Sequence, residues 1–204
     1  YLDTVHSYTD EQRVTDDEHD DLRRARKAPS NIVPSTTGAA ATVKDVFPKL
    51  AGKADGTAMR TPTANSSVAD ASFVLNQQGL EAALARYAAD MDAFLAKYIP
   101  ESERAAYSTK DGRTKLLIHV LMKKYAGGPL KGILQFDLRQ FEFGEKYTSS
   151  MVTNNYHSSI YDASGTRAVG NLVTVTAWYD NETGYSTRLA DLADHMMALA
   201  EEAQ

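Results

Sequence analysis

The chain has no cysteine among its 204 residues, and this absence excludes several kinds of chemistry. Disulfides, thiolate metal sites and a cysteine nucleophile within the chain would all require a thiol. Long apolar runs are missing as well, and the N-terminus lacks the pattern of a signal peptide, so no membrane-spanning segment is predicted. We therefore expect a cytoplasmic protein with no metal site and no membrane contact.

An excess of basic charge is also missing. The chain has 22 Lys and Arg against 27 Asp and Glu, which gives a formal net charge of −5. Nucleic acids and anionic membranes attract basic surfaces, so this balance disfavours both as partners. A hydrophobic share of 43% is enough to form a buried core, and a single domain is the expectation for this length.

Side chains that bind anions are concentrated in the first sixty residues. A guanidinium can contact two phosphate oxygens at once, and hydroxyls and free backbone N–H groups at a turn before a helix add further donors. An imidazole can move a proton beside them, because its ordinary pKa lies near neutral pH. These groups come from four segments, namely residues 4–9 (TVHSYT), 22–27 (LRRARK), 35–38 (STTG) and 58–62 (AMRTP). Together they predict a site that holds phosphate and transfers a proton.

Four more motifs follow nearer the C-terminus. They are residues 128–134 (GPLKGIL), 157–163 (HSSIYDA), 170–173 (GNLV) and 178–186 (WYDNETGYS). These four segments and the four described above, taken in their order along the chain, resemble the C-terminal catalytic domain of phosphorylating glyceraldehyde-3-phosphate dehydrogenase. The resemblance covers both ends of the chain and one internal block, and it leaves residues 73–126 mostly unmatched.

The resemblance implies an activity and a role for His6. In this family a thiolate adds to the aldehyde, a histidine accepts the proton while a hydride passes to NAD or NADP, and phosphate then cleaves the thioester. His6 matches that base, and an imidazole suits proton transfer near neutral pH. The implied partners are a phosphorylated aldehyde, inorganic phosphate and further copies of the chain in a tetramer.

Binding residues are implied in the same way. Arg60 and Thr9 match the positions that hold the substrate phosphate, whereas inorganic phosphate is assigned to Arg24, Thr37 and Gly38. Arg23 adjoins Arg24, so a shift of one residue in the match would exchange the two. For the nicotinamide cofactor, the matching residues are Asn181 and Tyr185.

The chain departs from the family in ways that indicate a fragment. It has neither the Ser-Cys-Thr-Thr-Asn turn that carries the family's nucleophile nor a G-x-G-x-x-G dinucleotide-binding motif. We therefore expect residues 1–204 to be the catalytic domain alone, inactive by itself, with the N-terminal dinucleotide-binding domain absent. Two alternatives stay open: erythrose-4-phosphate dehydrogenase, and a non-catalytic anion-binding or assembly module.

Apolar periodicity predicts an α+β fold, with one largely antiparallel sheet covered by helices. An inserted helical hairpin is predicted at about residues 98–126. It is interpreted mainly as a surface decoration and, as an alternative, as an oligomer or partner contact. His19, His119 and His195 are predicted to lie at the surface. The predicted strands are residues 2–9, 57–62, 67–75 and 172–178, and the predicted helices are residues 37–50, 80–98, 115–125 and 189–201.

Overall fold

The computed structural model describes residues 1–202 of the chain. Within them, seven strands form one sheet: β1 (Leu2–Ser7), β2 (Val33–Ser35), β3 (Gly56–Thr61), β4 (Ser67–Val74), β5 (Leu134–Gln135), β6 (Ser159–Val169) and β7 (Leu172–Tyr179). Their order across the sheet is β2-β3-β1-β4-β7-β6-β5. The β1/β3 and β5/β6 pairs are parallel, and the other four pairs are antiparallel.

The same residues contain eight α-helices: α1 (Ala39–Val46), α2 (Gln77–Arg86), α3 (Ala88–Tyr98), α4 (Glu101–Arg104), α5 (Lys110–Ala126), α6 (Arg139–Glu142), α7 (Ser149–Val152) and α8 (Asn181–Glu202). The predicted α+β fold with a largely antiparallel sheet is therefore confirmed. None of these helices is both long enough and apolar enough to cross a lipid bilayer.

Several predicted boundaries were wrong. The single helix expected over residues 80–98 is divided at Tyr87 into α2 and α3. The last helix begins at Asn181, eight residues before the apolar pattern starts, because polar residues form its first turns. The strand β6 was not predicted, since its small and polar residues break the alternation and a bulge interrupts its pairing with β7 between Asp162 and Arg167.

The hydrophobic core lies between the sheet and helices α2, α3 and α5. Helix α5 contributes a continuous buried run from Leu116 to Val120, including a fully buried His119. A continuous apolar run is typical of an element covered on more than one side. The prediction of a surface decoration is therefore wrong for α5, and the prediction of a surface position is wrong for His119.

His119 is buried because its ring has polar and aromatic partners. Its Nδ1 lies 2.6 Å from the hydroxyl of Tyr161 on β6, and its Nε2 lies 3.5 Å from the hydroxyl of Tyr107. The rings of Phe94 and Phe141 pack around it at centroid distances of 6.4 and 5.1 Å. These contacts join α5 to the sheet and satisfy a polar ring inside an apolar core.

Two tyrosines attach α5 to the preceding helices through cation–π contacts. The ammonium of Lys124 lies 5.0 Å from the ring centroid of Tyr87, and that of Lys123 lies 5.6 Å from the centroid of Tyr98. A desolvated contact of this type stabilises more than an exposed one, and exposed ones contribute about 0.5–1 kcal/mol.

We predict that His119 makes the stability of the chain depend on pH. Burial, together with the smaller effect of the Lys115 ammonium, lowers its pKa from 6.5 to about 3. The unfolded chain binds a proton at His119 below pH 6.5, whereas the folded chain binds it only near pH 3. The free energy of unfolding should therefore decrease as the pH falls through this window.

Chemical denaturation of the wild-type chain and of His119→Gln at pH 7, 6, 5 and 4 tests this prediction. The variant should be less stable at pH 7, because glutamine does not fill the aromatic cage, and its stability should change less between pH 6 and pH 4. His195→Gln is the matched control, since His195 is exposed on α8. Parallel pH profiles for His119→Gln and the wild type would contradict the assignment.

Candidate functional site

The strand register places four polar side chains in one row across the centre of the sheet. Arg60 of β3 is paired with His6 of β1, and Ser67 of β4 is paired with Tyr179 of β7. His6 and Ser67 connect the two pairs, because His6 Nδ1 lies 3.0 Å from Ser67 Oγ. Residues at one register position of neighbouring strands point to the same face, so the row forms one continuous polar surface.

His6 is half-buried in this row, with one ring nitrogen occupied. Its Nδ1 lies near the hydroxyls of both Ser67 (3.0 Å) and Tyr179 (3.2 Å), and no described residue hydrogen-bonds to Nε2. Burial, together with the smaller effect of the nearby Arg60 guanidinium, lowers the pKa of His6 from 6.5 to about 4. At neutral pH the ring is therefore uncharged and one nitrogen can accept a proton.

Arg60 has no carboxylate partner within salt-bridge distance among residues 1–202. Its Nη1 donates to the backbone carbonyl of Ser7 at 3.2 Å, which holds the guanidinium beside the end of β1. Thr61 donates to the carbonyl of His6 at 3.0 Å and ties the two strands together at the same level. A half-buried guanidinium without a counter-charge is suited to an anionic ligand.

Asn181 joins this row from the first position of α8. Its Oδ1 accepts a 2.7 Å hydrogen bond from Ser67 Oγ, so the amide is linked through Ser67 to His6. Tyr185, one turn further along α8, is exposed and makes none of the side-chain hydrogen bonds found within residues 1–202.

Asp180, the residue before Asn181, fixes the segments around Asn181 through hydrogen bonds. Asp180 is buried, and its carboxylate accepts hydrogen bonds from Asn65, from the backbone of Asn154 and from the first turn of α8. Burial opposes ionisation, but these donors outweigh it and lower the pKa of Asp180. Three separate segments are thereby fixed around the position of Asn181.

Arg24 lies at another part of the surface, beside the end of β2. Its Nη2 donates to Ser35 Oγ at 3.1 Å, whereas its Nη1 forms a 2.6 Å ion pair with Glu11. Asp21 is a second, more distant carboxylate partner at 3.5 Å. Arg23 is exposed, and its backbone N–H donates to Asp21. Of the two neighbouring arginines, Arg24 is therefore the one with an ordered position beside the STTG turn.

The other predicted phosphate-binding residues lie in turns. Thr37 Oγ1 accepts from the backbone of Ala39 at 3.1 Å, and Gly38 is the N-cap residue of α1, with no atom within 4 Å of where a Cβ would be. The backbone N–H of Thr9 donates to Gln12 Oε1 at 3.4 Å. Gln12 is buried, and its Nε2 has no partner among the described residues. No side-chain hydrogen bond between described residues connects these turns to His6.

Three residues of this site were missed in the sequence. Ser67, Tyr179 and Asp180 form its hydrogen-bonded framework, yet none was predicted to be functional. Tyr179 and Asp180 directly precede Asn181 in the WYDN motif, which was the one available signal. Ser67 gave none, because it is 61 residues from its partner His6 and only the strand register brings them together. The described residues contain no group of three or more side chains arranged to hold a metal ion.

We predict that removing the charge of Arg60 raises the pKa of His6. A guanidinium nearby disfavours the imidazolium, so Arg60→Gln should shift the pKa upward from about 4, while burial keeps it below 6.5. NMR titration of the His6 ring protons in this chain measures the shift. Arg24→Gln is the matched control, since Arg24 is paired with Glu11 and not with His6. An unchanged His6 pKa in Arg60→Gln would contradict this electrostatic coupling.

Comparison with known proteins agrees with the motifs. Residues 1–91 match the family described as glyceraldehyde 3-phosphate dehydrogenase, C-terminal domain. The glyceraldehyde-3-phosphate dehydrogenase of Mycolicibacterium smegmatis is 40% identical over 189 residues, which are 93% of this chain and 44% of that protein. The enzyme of the same name from Geobacillus stearothermophilus is 39% identical over 194 residues, which are 95% of this chain and 46% of that protein.

The chain thus spans somewhat less than half the length of these curated relatives. The family match includes the segments that carry His6, Arg24 and Arg60, and the similarity to the relatives continues over nearly the whole chain. The chain therefore matches a C-terminal fragment of glyceraldehyde-3-phosphate dehydrogenase.

Proposed function

We propose that this chain is the catalytic part of an NAD(P)-dependent glyceraldehyde-3-phosphate dehydrogenase. The whole protein would convert glyceraldehyde 3-phosphate, phosphate and NAD(P) to 1,3-bisphosphoglycerate. The observation that carries the proposal is the pairing of a neutral His6 with Arg60, which has no carboxylate partner among residues 1–202. A base beside a guanidinium that can bind an anion suits an aldehyde that carries a phosphate. The nucleophilic thiol must come from outside these 204 residues, because they contain no cysteine.

His6 acts as the general base in this proposal. A base must be uncharged before it accepts a proton, and the lowered pKa of His6 meets this condition at neutral pH. A thiolate and a substrate phosphate would bring negative charge near the ring and raise its pKa again, since opposite charges favour the imidazolium. The base would therefore become stronger once the reactants are bound.

Two anion subsites are proposed on either side of β3. Arg60 and Thr9 hold the substrate phosphate, and the unpartnered Nε2 of Gln12 next to Thr9 supports an acceptor there. Arg24, with Arg23 as its neighbour, serves inorganic phosphate together with Thr37 and Gly38. Binding at Arg24 has to displace Glu11, but an exposed ion pair contributes at most about 1 kcal/mol, so the exchange costs little.

Asn181 is proposed to bind the carboxamide of the nicotinamide, with Tyr185 beside the ring. An amide side chain fits this group because it offers both a donor and an acceptor, and the fixed position of Asn181 supports the assignment. NAD or NADP would act as the hydride acceptor. The chain's own contribution is to orient the ring and to hold the proton acceptor beside it.

A second domain and further subunits complete the proposed protein. The outer part of α8 exposes Leu189, Leu192, Met196 and Met197, each at least half exposed. An apolar strip of this kind supports a partner that covers it, and a dinucleotide-binding domain of the same polypeptide is the proposed one. Assembly into a tetramer, a cytoplasmic location and the insertion at about residues 98–126 remain parts of the proposal.

The first test uses the complete reading frame that encodes this chain. Its sequence should contain a Ser-Cys-Thr-Thr-Asn turn, and its product should reduce NAD or NADP with glyceraldehyde 3-phosphate through repeated turnovers only when phosphate is present to cleave the thioester. A reading frame without that cysteine would favour the non-catalytic module. A higher kcat/KM for erythrose 4-phosphate than for glyceraldehyde 3-phosphate would favour the other dehydrogenase.

In that protein we predict that His6→Asn slows the hydride-transfer step by about a hundredfold or more, because no base then accepts the proton. Single-turnover absorbance of the reduced cofactor measures this step. His19→Asn is the control, since the hydrogen bond of the His19 ring within the described part of the chain comes from the backbone N–H of Asp21. A single-turnover rate equal to that of the wild type would assign His6 a purely structural role.

We also predict that Arg60→Ala raises KM for the phosphorylated aldehyde and spares turnover of unphosphorylated glyceraldehyde. The guanidinium acts on the phosphate and not on the reacting carbon, so only the substrate that carries the phosphate should lose affinity. Steady-state kinetics with both aldehydes measure the difference. Arg26→Ala is the control, because Arg26 pairs with Asp16 at an exposed position. Equal losses on both aldehydes would rule out this role for Arg60.

A further inference from the structure

We propose that Ser67 is a positioning residue that sets the tautomer of His6 and the orientation of the Asn181 amide through one hydroxyl group. The inference rests on the proposed dehydrogenase function, because it links the general base His6 to Asn181, the residue proposed to bind the nicotinamide. Ser67 Oγ lies 3.0 Å from His6 Nδ1 and 2.7 Å from Asn181 Oδ1, and no other hydroxyl in the described residues bonds to both of these side chains.

The number of hydrogens at Ser67 determines the direction of both bonds. A hydroxyl has one hydrogen, and an amide oxygen can only accept, so that hydrogen is donated to Asn181 Oδ1. Ser67 Oγ must then accept the hydrogen bond from His6, which requires a proton on Nδ1. The remaining nitrogen, Nε2, carries the lone pair and faces no described donor. This is the tautomer that a general base needs.

Because of Tyr179, the proton stays on His6 Nδ1 only while Ser67 is present. Its hydroxyl lies 3.2 Å from His6 Nδ1 and can either accept the Nδ1 proton or donate its own. Burial raises the pKa of Tyr179, so it keeps a proton to donate. While Ser67 accepts from Nδ1, Tyr179 can only share that proton as a second acceptor. Without Ser67, Tyr179 can donate to Nδ1, and the proton of His6 then moves to Nε2.

The same hydroxyl orients the amide of Asn181. Because the Oδ1 end is held by Ser67, the Nδ2 end points away from it and remains free to donate. A carboxamide oxygen on the cofactor would be its acceptor. Loss of the Ser67 hydrogen would remove the difference between the two ends and permit the amide to rotate by half a turn.

The backbone at Ser67 and at Asn181, which the Ser67 hydroxyl links, is held in place by other contacts. Ser67 is 1% exposed and begins β4, where its backbone is paired with Tyr179. Asp180 binds Asn65 two residues before Ser67 and also caps the helix that begins with Asn181. A change in the Ser67 side chain should therefore alter hydrogen bonding without moving the backbone around it.

The test reads the tautomer directly in this chain. Long-range proton–nitrogen correlation spectra of the chain labelled with ¹⁵N-histidine distinguish a protonated Nδ1 from a protonated Nε2 at neutral pH. The wild type should have its proton on Nδ1, Ser67→Ala should shift the population to Nε2, and Ser67→Thr should restore Nδ1. Ser72→Ala is the matched control, since it removes from the same strand a hydroxyl whose one side-chain partner within residues 1–202 is Thr174.

Two results would overturn the inference. One is a wild-type His6 protonated on Nε2, which needs no variant to fold. The other is an unchanged tautomer in Ser67→Ala. Tyr179→Phe gives a third measurement, because Nδ1 should remain protonated when Ser67 is its only partner. A shift to Nε2 in that variant would transfer the role to Tyr179.

Kinetics of the complete protein separate this inference from the proposed function. Ser67→Ala should lower kcat and raise KM for the cofactor by about tenfold each, as expected for the loss of one buried hydrogen bond, with KM for the phosphorylated aldehyde unchanged. If the tautomer shifts but the protein has no dehydrogenase activity, the role of Ser67 is supported and the proposed function is wrong. If activity is present and the tautomer does not shift, the proposed function is supported and the role of Ser67 is wrong.

Discussion

The register of four central strands is the constraint on which the rest of this site depends. His6 and Arg60 are paired on parallel strands, and Ser67 and Tyr179 are paired on antiparallel ones, so residues from distant parts of the chain meet at one level. A slip of one residue in any of these pairs would turn a member of the row to the opposite face of the sheet. The core beneath α5 packs on β6 and β7, and the hydrogen bonds of Asp180 fix the segment before β4 against the end of β7.

The sequence predicted the parts of the site that lie within short motifs. His6, Arg60 and Asn181 were predicted because each stands in a recognisable segment, and the strands that carry the first two were predicted nearly to their ends. Ser67 was not found, since its role arises from contacts across 61 and 114 residues. Local patterns contain no information about such pairings until the order of the strands is known.

The core was harder to predict than the sheet, for a different reason. His119 follows three apolar residues and precedes three more, and this run was the available signal of burial. A histidine is polar, so composition alone favoured the surface, and only its bond to Tyr161 explains how it is tolerated inside. The small and polar residues of β6 hid a strand in the same way, because they bury little apolar surface.

The two cation–π contacts of α5 give the helix layer a connection that does not depend on carboxylates. Lys123 and Lys124 of α5 lie over the ring faces of Tyr98 and Tyr87, which stand at the two ends of α3. The ion pair between Arg113 and Asp92 also joins α5 to α3, but through a carboxylate. Loss of that carboxylate would leave both ring contacts in place, so α5 would stay attached to the two ends of α3.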